Sequence, residues 1–191
     1  MQGPPVHGAP LPSGVFLLGQ APGAREIEQR RPFCWTAGRT LFRWLDGIGL
    51  GEAAFRERVY MSAVCRCFPG KHPRGGDRVP SPVEMATCAR WWQREIALVR
   101  PRLIIAVGKL AIGRFLPASR LDAVVGRCHR LEQGPARGAD LIPLPHPSGA
   151  STWFKTEPGL TLLPRALALI ARHPAWQELS GPGGRGSVSG G

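Results

Sequence analysis

The sequence is short of acidic residues. It contains 13 Asp and Glu against 25 Lys and Arg, so the formal net charge is +12 and the isoelectric point is about 11.1. Such an excess of positive charge predicts a polyanionic partner. The 191 residues are 43% hydrophobic and 20% charged, a composition that excludes wholesale disorder and predicts a folded chain of one domain.

Long apolar runs are also missing. None approaches the roughly 18 residues that a membrane-spanning helix needs. Residues 1–14 have neither a basic start nor an apolar stretch, so we expect no signal peptide and a cytoplasmic, intracellular, nucleoid-associated protein. The five Cys, an odd number, argue against a disulfide scaffold. We predict a flexible N-terminus (1–14), a single domain (15–178) and a disordered Gly/Ser-rich tail (179–191).

Four short apolar runs predict buried strands, at residues 15–18, 59–64, 103–107 and 141–144. Helical patterns lie between them, including a helix that begins with a capping box at residues 81–84, and another over residues 163–172. Strands that alternate with helices predict an α/β fold, a three-layer αβα sandwich with a central, mainly parallel four-stranded sheet.

Ligands bind at the carboxyl ends of the strands in such a sheet. The segments that leave these ends are residues 19–23, 67–71, 108–109 and 145–149, and they hold most of the polar side chains that suggest chemistry. Neither a phosphate-binding loop nor a Gly-x-Gly-x-x-Gly motif follows the first strand, which argues against a nucleotide-binding protein.

Two of these segments carry recognisable motifs. Gly-Gln-Ala-Pro-Gly at residues 19–23 and His-Pro-Ser at residues 146–148 resemble the two motifs of the uracil-DNA glycosylase superfamily, and the likeness is closest to its family-four branch. The resemblance implies a monofunctional hydrolase of DNA base excision repair, which flips uracil or a related deaminated base out of DNA and hydrolyses its N-glycosidic bond. Flipping is required because the target atom is inaccessible inside the base stack.

The resemblance assigns the catalytic work to His146, Gln20 and Glu26. His146 would donate a hydrogen bond to uracil O2 as negative charge develops on the leaving base. The alternative is a histidine that only stabilises its proline-flanked loop. Gln20 would hold the attacking water or the base edge. Glu26, with Glu28 in reserve, would contact that water, unless both are ordinary loop acids.

The residues that would bind the base depart in part from the family pattern. Phe33 matches the aromatic residue on which the base stacks, although a core role is the alternative. Ala21 stands where other branches have Asp or Asn, Gly23 where the most restrictive branch has Tyr, and Ala63 where an Asn reads the uracil edge. Ser148 would add a hydroxyl. These departures keep two alternatives open: another altered base such as hypoxanthine, or a catalytically weak relative that binds damaged or single-stranded DNA.

Two segments are candidates for DNA contact. The first is a basic, glycine-rich loop suited to phosphates, or else an ordinary solvated face; its candidates are Arg66, Lys71, Arg74 and Arg78. The second follows the His-Pro-Ser motif and corresponds to the segment that enters the minor groove in the superfamily; its candidates are Ser151, Trp153, Phe154 and Lys155. Trp153 or Phe154 would be the wedge that fills the gap, with packing against the last helix as the alternative.

The cysteines also depart from the family-four pattern. Members of that branch hold an iron–sulfur cluster with an early cysteine pair and two later cysteines that resemble Cys67 and Cys88. Residues 1–14 contain no cysteine, and such a cluster normally needs four thiolates. We therefore predict no cofactor and no metal. DNA that contains a deaminated base is the expected partner of a monomeric protein, with no membrane contact.

Overall fold

The computed structural model describes residues 1–117, 120–149 and 151–181. Its strands are β1 (Val15–Gly19), β2 (Tyr60–Ala63), β3 (Leu103–Val107), β4 (His129–Arg130) and β5 (Asp140–Leu144). Its helices are α1 (Ala24–Gln29), α2 (Thr36–Asp46), α3 (Glu52–Arg58), α4 (Pro82–Val99), α5 (Lys109–Ile112), α6 (Gly159–Arg172) and α7 (Pro174–Ser180).

The strands form one mixed sheet in the order β2-β1-β3-β5-β4. The first four are parallel, and β4 pairs antiparallel with β5. The predicted α/β class and mainly parallel sheet are confirmed, but the predicted count of four strands is wrong by one. Only His129 and Arg130 form β4, and neither belongs to an apolar run that would have marked a strand.

Helices cover both faces of this sheet. Every residue of β1 and β3 is buried, as expected of central parallel strands. Helices α3 and α7 pack together through Phe55 and Trp176, whose ring centroids are 6.1 Å apart. Trp92 of α4 packs against Phe115, with ring centroids 5.6 Å apart.

Local signals predicted the start of α4 better than that of α6. The Ser81 hydroxyl accepts a hydrogen bond from the Glu84 N–H (3.3 Å), and the Glu84 carboxylate accepts one from the Ser81 N–H (2.7 Å), which completes the capping box. Helix α6 begins at Gly159, before the predicted residue 163, and contains Pro164. Proline has no N–H to donate within the helix, and tertiary packing compensates for the loss of that backbone hydrogen bond.

The N-terminal segment contacts the loop that follows β2, and its predicted flexibility stays a prediction. Gln2 forms a β-bridge with Phe68, the Val6 N–H donates to the Arg66 carbonyl (2.7 Å), and the Val6 side chain is buried. At the other end α7 continues to Ser180, and residues 182–191 of the predicted tail lie outside the described residues. Among the described helices, none is long and apolar enough to cross a membrane.

A buried carboxylate braces β2 against α4. Glu95 accepts hydrogen bonds from the Tyr60 hydroxyl (2.9 Å) and the Ser62 hydroxyl (2.5 Å), and it pairs with the Arg66 guanidinium. The side chains of Arg66 and Glu95 are 17% and 10% exposed. The Ser62 hydroxyl therefore points to α4, and the Arg66 guanidinium is largely buried in its ion pair with Glu95. The DNA contact of Arg66 stays a prediction.

We expect Glu95→Gln to destabilise the fold by about 2 kcal/mol or more, because it leaves a largely buried guanidinium without its anion. Denaturant unfolding at pH 7 measures the change. Glu132→Gln, at an exposed acid, is the matched control and should change the free energy of unfolding by less than about 0.5 kcal/mol. Equal effects of the two substitutions would contradict this account of Glu95.

Candidate functional site

A cleft of about 960 Å³ opens at the carboxyl ends of β1 and β2. It is lined by the motif after β1, by residues between α1 and the start of α2, by the loop before α4, and by His146 and Ser148 after β5. The parallel sheet explains this convergence, because all four strand ends lie at one edge. The size suits a nucleotide base with its sugar.

The hydrogen bonding of His146 fixes its neutral form. Its Nδ1 accepts a hydrogen bond from the Ser148 N–H (3.3 Å), so the ring proton is on Nε2. Burial lowers the pKa of His146 below the ordinary value of 6.5. Gly108, with φ +86°, lets the ring approach: a Cβ there would lie 3.1 Å from its Cδ2. The cleft therefore contains an uncharged imidazole with one N–H available to a ligand.

The lowered pKa of His146 predicts a pH dependence of stability. Below pH about 6.5 the unfolded chain takes up a proton at this histidine more readily than the folded protein does. The free energy of unfolding therefore decreases as the pH is lowered. We expect wild type to lose more stability between pH 7.5 and 5.5 than His146→Asn. Denaturant unfolding at both pH values tests this, and equal losses would contradict it.

Phe33 is held in an unusual backbone conformation at the cleft. Its φ is +53°, a region that residues other than glycine rarely occupy. The Phe33 N–H donates to Glu26, its carbonyl accepts from the Arg56 guanidinium (3.1 Å), and its ring lies on Gly19, where a Cβ would be 3.0 Å away. Such over-determined strain is typical of functional positions. The ring is partly buried and is presented to the cleft.

Glu26 braces the motif that follows β1. Its Oε2 accepts a hydrogen bond from the Gly23 N–H (2.6 Å), and its Oε1 accepts one from the Phe33 N–H. Burial raises the pKa of Glu26, these two backbone bonds lower it, and the nearby negative charge of Asp77 raises it, with a net increase. Both oxygens of this carboxylate are thus already engaged with the backbone.

The other predicted base-binding residues meet in the same cleft. Gln20, Ala21, Gly23, Ala63 and Ser148 all line it. Neither alanine brings a polar side chain, so Gln20 and Ser148 supply the polar side chains of this set.

The loop of residues 70–78 covers one side of the cleft. The Lys71 ammonium pairs with the Asp77 carboxylate (2.7 Å), and both side chains line the cleft. The Arg78 guanidinium is tied to the Glu84 carboxylate (2.7 Å), so it anchors the loop. Arg74 is exposed. Lys71 and Arg74 are therefore the members of the predicted basic set whose side chains lie at the surface.

The segment after the second motif packs against the body of the protein. The Phe154 ring lies edge-on to Trp44, with centroids 5.0 Å apart, and Trp153 and Phe154 are both partly buried against the core. Helix α6 starts directly on Trp153: a Cβ on Gly159 would lie 2.0 Å from the Trp153 carbonyl oxygen. This is the packing that the alternative interpretation predicts. Ser151 is half-buried and Lys155 is exposed.

The family model described as "Uracil DNA glycosylase superfamily" matches residues 5–168, a range that includes all the residues of the cleft named above. The chain belongs to the uracil-DNA glycosylase superfamily. This confirms the resemblance that the two motifs carry.

Individual members of the superfamily align over much of the chain. The Type-4 uracil-DNA glycosylase of Pyrobaculum aerophilum is 31% identical over 122 residues, which cover 61% of this chain and 58% of the relative. That of Thermotoga maritima is 29% identical over 138 residues, or 72% and 66%. The Type-5 uracil-DNA glycosylase of Thermus thermophilus is 31% identical over 132 residues, or 60% and 58%. Each alignment thus covers less than two thirds of the length of the relative.

The cysteines of this superfamily member do not fit a four-thiolate cluster. Cys65, Cys67 and Cys88 lie near one another. The pKa of Cys65 is raised to about 12, first by burial and second by the nearby Cys88 thiol. However, no group of three or more His, Cys, Asp or Glu in the described residues has the arrangement of a metal site. The N-terminal segment, residues 1–14, pairs with Phe68 through Gln2 and contains no cysteine. That the protein lacks a cluster stays a prediction, and iron and sulfide analysis of the purified protein tests it.

Three site residues escaped the sequence analysis. Arg56 donates to the Pro32 and Phe33 carbonyls (2.8 and 3.1 Å) from α3. Asp77 lines the cleft, as does Trp35, which is 47% exposed and has two guanidinium groups, of Arg25 and Arg39, each 5.5 Å from its ring centroid. A cluster of arginines around an isolated tryptophan next to the glycosylase motif was the available signal for Trp35. Nothing local marked Arg56 or Asp77.

Proposed function

We propose that the protein is a monofunctional DNA glycosylase of base excision repair, which hydrolyses the N-glycosidic bond of uracil or a related deaminated base in DNA. The observation that carries the proposal is the neutral imidazole of His146, held by the Ser148 N–H and sharing one cleft with the Phe33 ring. Its fixed Nε2–H is the donor that a departing base anion requires.

The residues of the cleft divide the reaction between them. The flipped base stacks on Phe33, whose fixed backbone holds the ring in place at no further entropic cost. As the C1′–N1 bond breaks, its electron pair moves onto the base, and His146 donates to uracil O2. A water near Gln20 and Glu26 attacks C1′, and Glu26 keeps the motif in shape through its two backbone hydrogen bonds.

DNA binding rests on the positive surface around the cleft. Lys71, Arg74 and Lys155 are exposed and suited to phosphates, and Trp35 with its neighbouring arginines suits an unstacked base. The net charge of +12 supports a polyanionic substrate. A wedge role for Trp153 or Phe154 stays a prediction, since both would have to leave part of their packing.

A second candidate function is binding of damaged or single-stranded DNA without substantial excision. The side chains of Ala21 and Ala63 favour it, because neither can position a water or read a base edge. Both functions keep the same fold and the same cleft.

An oligonucleotide assay separates the two functions. The protein is incubated with single- and double-stranded oligonucleotides that contain uracil, hypoxanthine or xanthine, and then heated in alkali. Scission at the modified position supports the glycosylase and identifies its preferred base. Tight binding without scission on every substrate supports the binding protein and overturns the proposed enzyme.

A further inference from the structure

A carboxylate at the mouth of the cleft is held in place by the backbone of its loop. Asp77 forms an antiparallel bridge with Lys71, and the Arg78 N–H donates to the Gly70 carbonyl (2.9 Å). Next to it, the Arg78 guanidinium is bound to Glu84 of α4. These bonds hold Asp77 in place within its loop and tie the loop to α4.

The Asp77 side chain fills the space above Gly23. A Cβ built on Gly23 would lie 2.7 Å from the Asp77 Oδ2 and 3.6 Å from the Glu26 Oε2. The Asp77 Oδ1 accepts a hydrogen bond from the Lys71 ammonium (2.7 Å). In the described part of the chain Oδ2 has no protein donor, so this oxygen is free to accept from a water or a ligand.

The other groups near this motif are less suited to take a proton from water. Ala21 has no polar group, and the Gln20 amide is not a base. Both oxygens of Glu26 already accept backbone hydrogen bonds. Glu28 is paired with Arg25 (2.9 Å), and its side chain is 59% exposed.

Asp77 lies at the mouth of the cleft, where we expect the sugar of a flipped nucleotide. A flipped base enters the cleft while its sugar stays at the mouth, because the sugar is joined to the DNA backbone outside. The Asp77 side chain is 42% exposed at this mouth, whereas the Phe33 ring lies against the end of β1. The bond between base and sugar therefore falls between the level of Phe33 and that of Asp77.

We propose that Asp77 is a catalytic residue that orients the attacking water and stabilises the positive charge of the sugar, a role that rests on the proposed function. Hydrolysis of a glycosidic bond passes through an oxocarbenium-like state. The base leaves with the electron pair of the C1′–N1 bond, the water oxygen bonds to C1′, and the water proton passes to Asp77 and then to solvent. The base anion takes up a proton from solvent, which balances the reaction.

Asp77→Asn tests this role, because it removes the charge and keeps the shape and the hydrogen bond to Lys71. Asp122→Asn is the matched control, since Asp122 is an aspartate paired with Arg120 (2.5 Å) outside the cleft. Two readouts are needed: the single-turnover rate of uracil release, and the affinity for two uncleavable duplexes at one fixed salt concentration. One duplex carries a neutral tetrahydrofuran abasic site, and the other a cationic pyrrolidine in its place.

We expect Asp77→Asn to slow uracil release on the order of 100-fold. Wild type and Asp122→Asn should bind the cationic duplex about 10-fold more tightly than the neutral one, and Asp77→Asn should lose this preference. Its affinity for the neutral duplex should change less than about 3-fold. If wild type released no base, the proposed function and the catalytic role would fall together, and loss of the preference in Asp77→Asn would then support only a contact between Asp77 and a positive charge in the cleft. Slower release together with loss of the preference supports the full assignment.

Two results would overturn the assignment and leave the proposed function intact. One is uracil release at the wild-type rate by Asp77→Asn with the cationic preference unchanged. The other is an equal loss of affinity for both duplexes that accounts for the whole loss of rate, because Asp77 would then only hold the loop in shape.

Discussion

Replacing His146 with alanine is expected to slow uracil release by about 100- to 1,000-fold. The Nε2–H of this residue is the fixed donor available to the departing base, and removal of one such preorganised donor typically has an effect of this size. Single-turnover kinetics with enzyme in excess measure the chemical step directly.

The DNA affinity of His146→Ala should stay within about 3-fold of wild type, because the residues proposed to contact phosphates lie elsewhere. His146→Gln is the companion variant, since an amide restores one donor near the same place, and it should recover part of the rate. A rate for His146→Ala within about 3-fold of wild type would contradict the catalytic role. Histidine would then only stabilise the proline-flanked loop.

Gly38→Ala is expected to damage both stability and activity. A Cβ at this position of α2 would lie 1.8 Å from the Phe33 carbonyl oxygen and 2.5 Å from the Phe33 carbonyl carbon. No side chain can move to relieve a clash with backbone, so α2 or Phe33 must shift. We expect a loss of about 1–3 kcal/mol in the free energy of unfolding and at least about a 10-fold slower release of uracil.

Gly47→Ala provides the control at the other end of the same helix. Its φ is −60°, and the nearest atom to an added Cβ, the Trp44 carbonyl oxygen, is 3.5 Å away. This substitution should be neutral or stabilising by up to about 1 kcal/mol and should leave the rate unchanged. If the two variants had the same stability and rate, close packing of Gly38 on Phe33 would not be what holds the ring.

The elements that the sequence predicted are those with strong local signals. The all-apolar run of β3 and the capping box of α4 depend on neighbouring residues only, and both were placed within a residue. The short helices α1 and α3 and the two-residue strand β4 have too few residues to show a period. Helix α6 extends past its proline because packing on Trp153 and the core outweighs a local breaking signal.

The candidate site also contains residues that local motifs predicted and residues that only tertiary contacts place there. The motif residues Gln20 and His146 follow predicted strands directly, so the edge of a parallel sheet brings them together. Arg56 and Asp77 reach the site through contacts with segments 23 and 54 residues away in sequence, which no periodicity records. Nothing in the basic loop indicated that the Arg66 guanidinium pairs with the buried Glu95 on α4.

Intact-mass analysis of a duplex that contains one uracil tests the central claim most directly. A hydrolytic glycosylase converts the uracil strand to one whose mass has lost uracil and gained water, with the phosphate backbone uncut and free uracil in solution. We predict this product with wild type and a matching thymine duplex that stays intact. Unchanged strands in the uracil duplex and in matching hypoxanthine and xanthine duplexes, under conditions in which the protein binds them, would contradict the account.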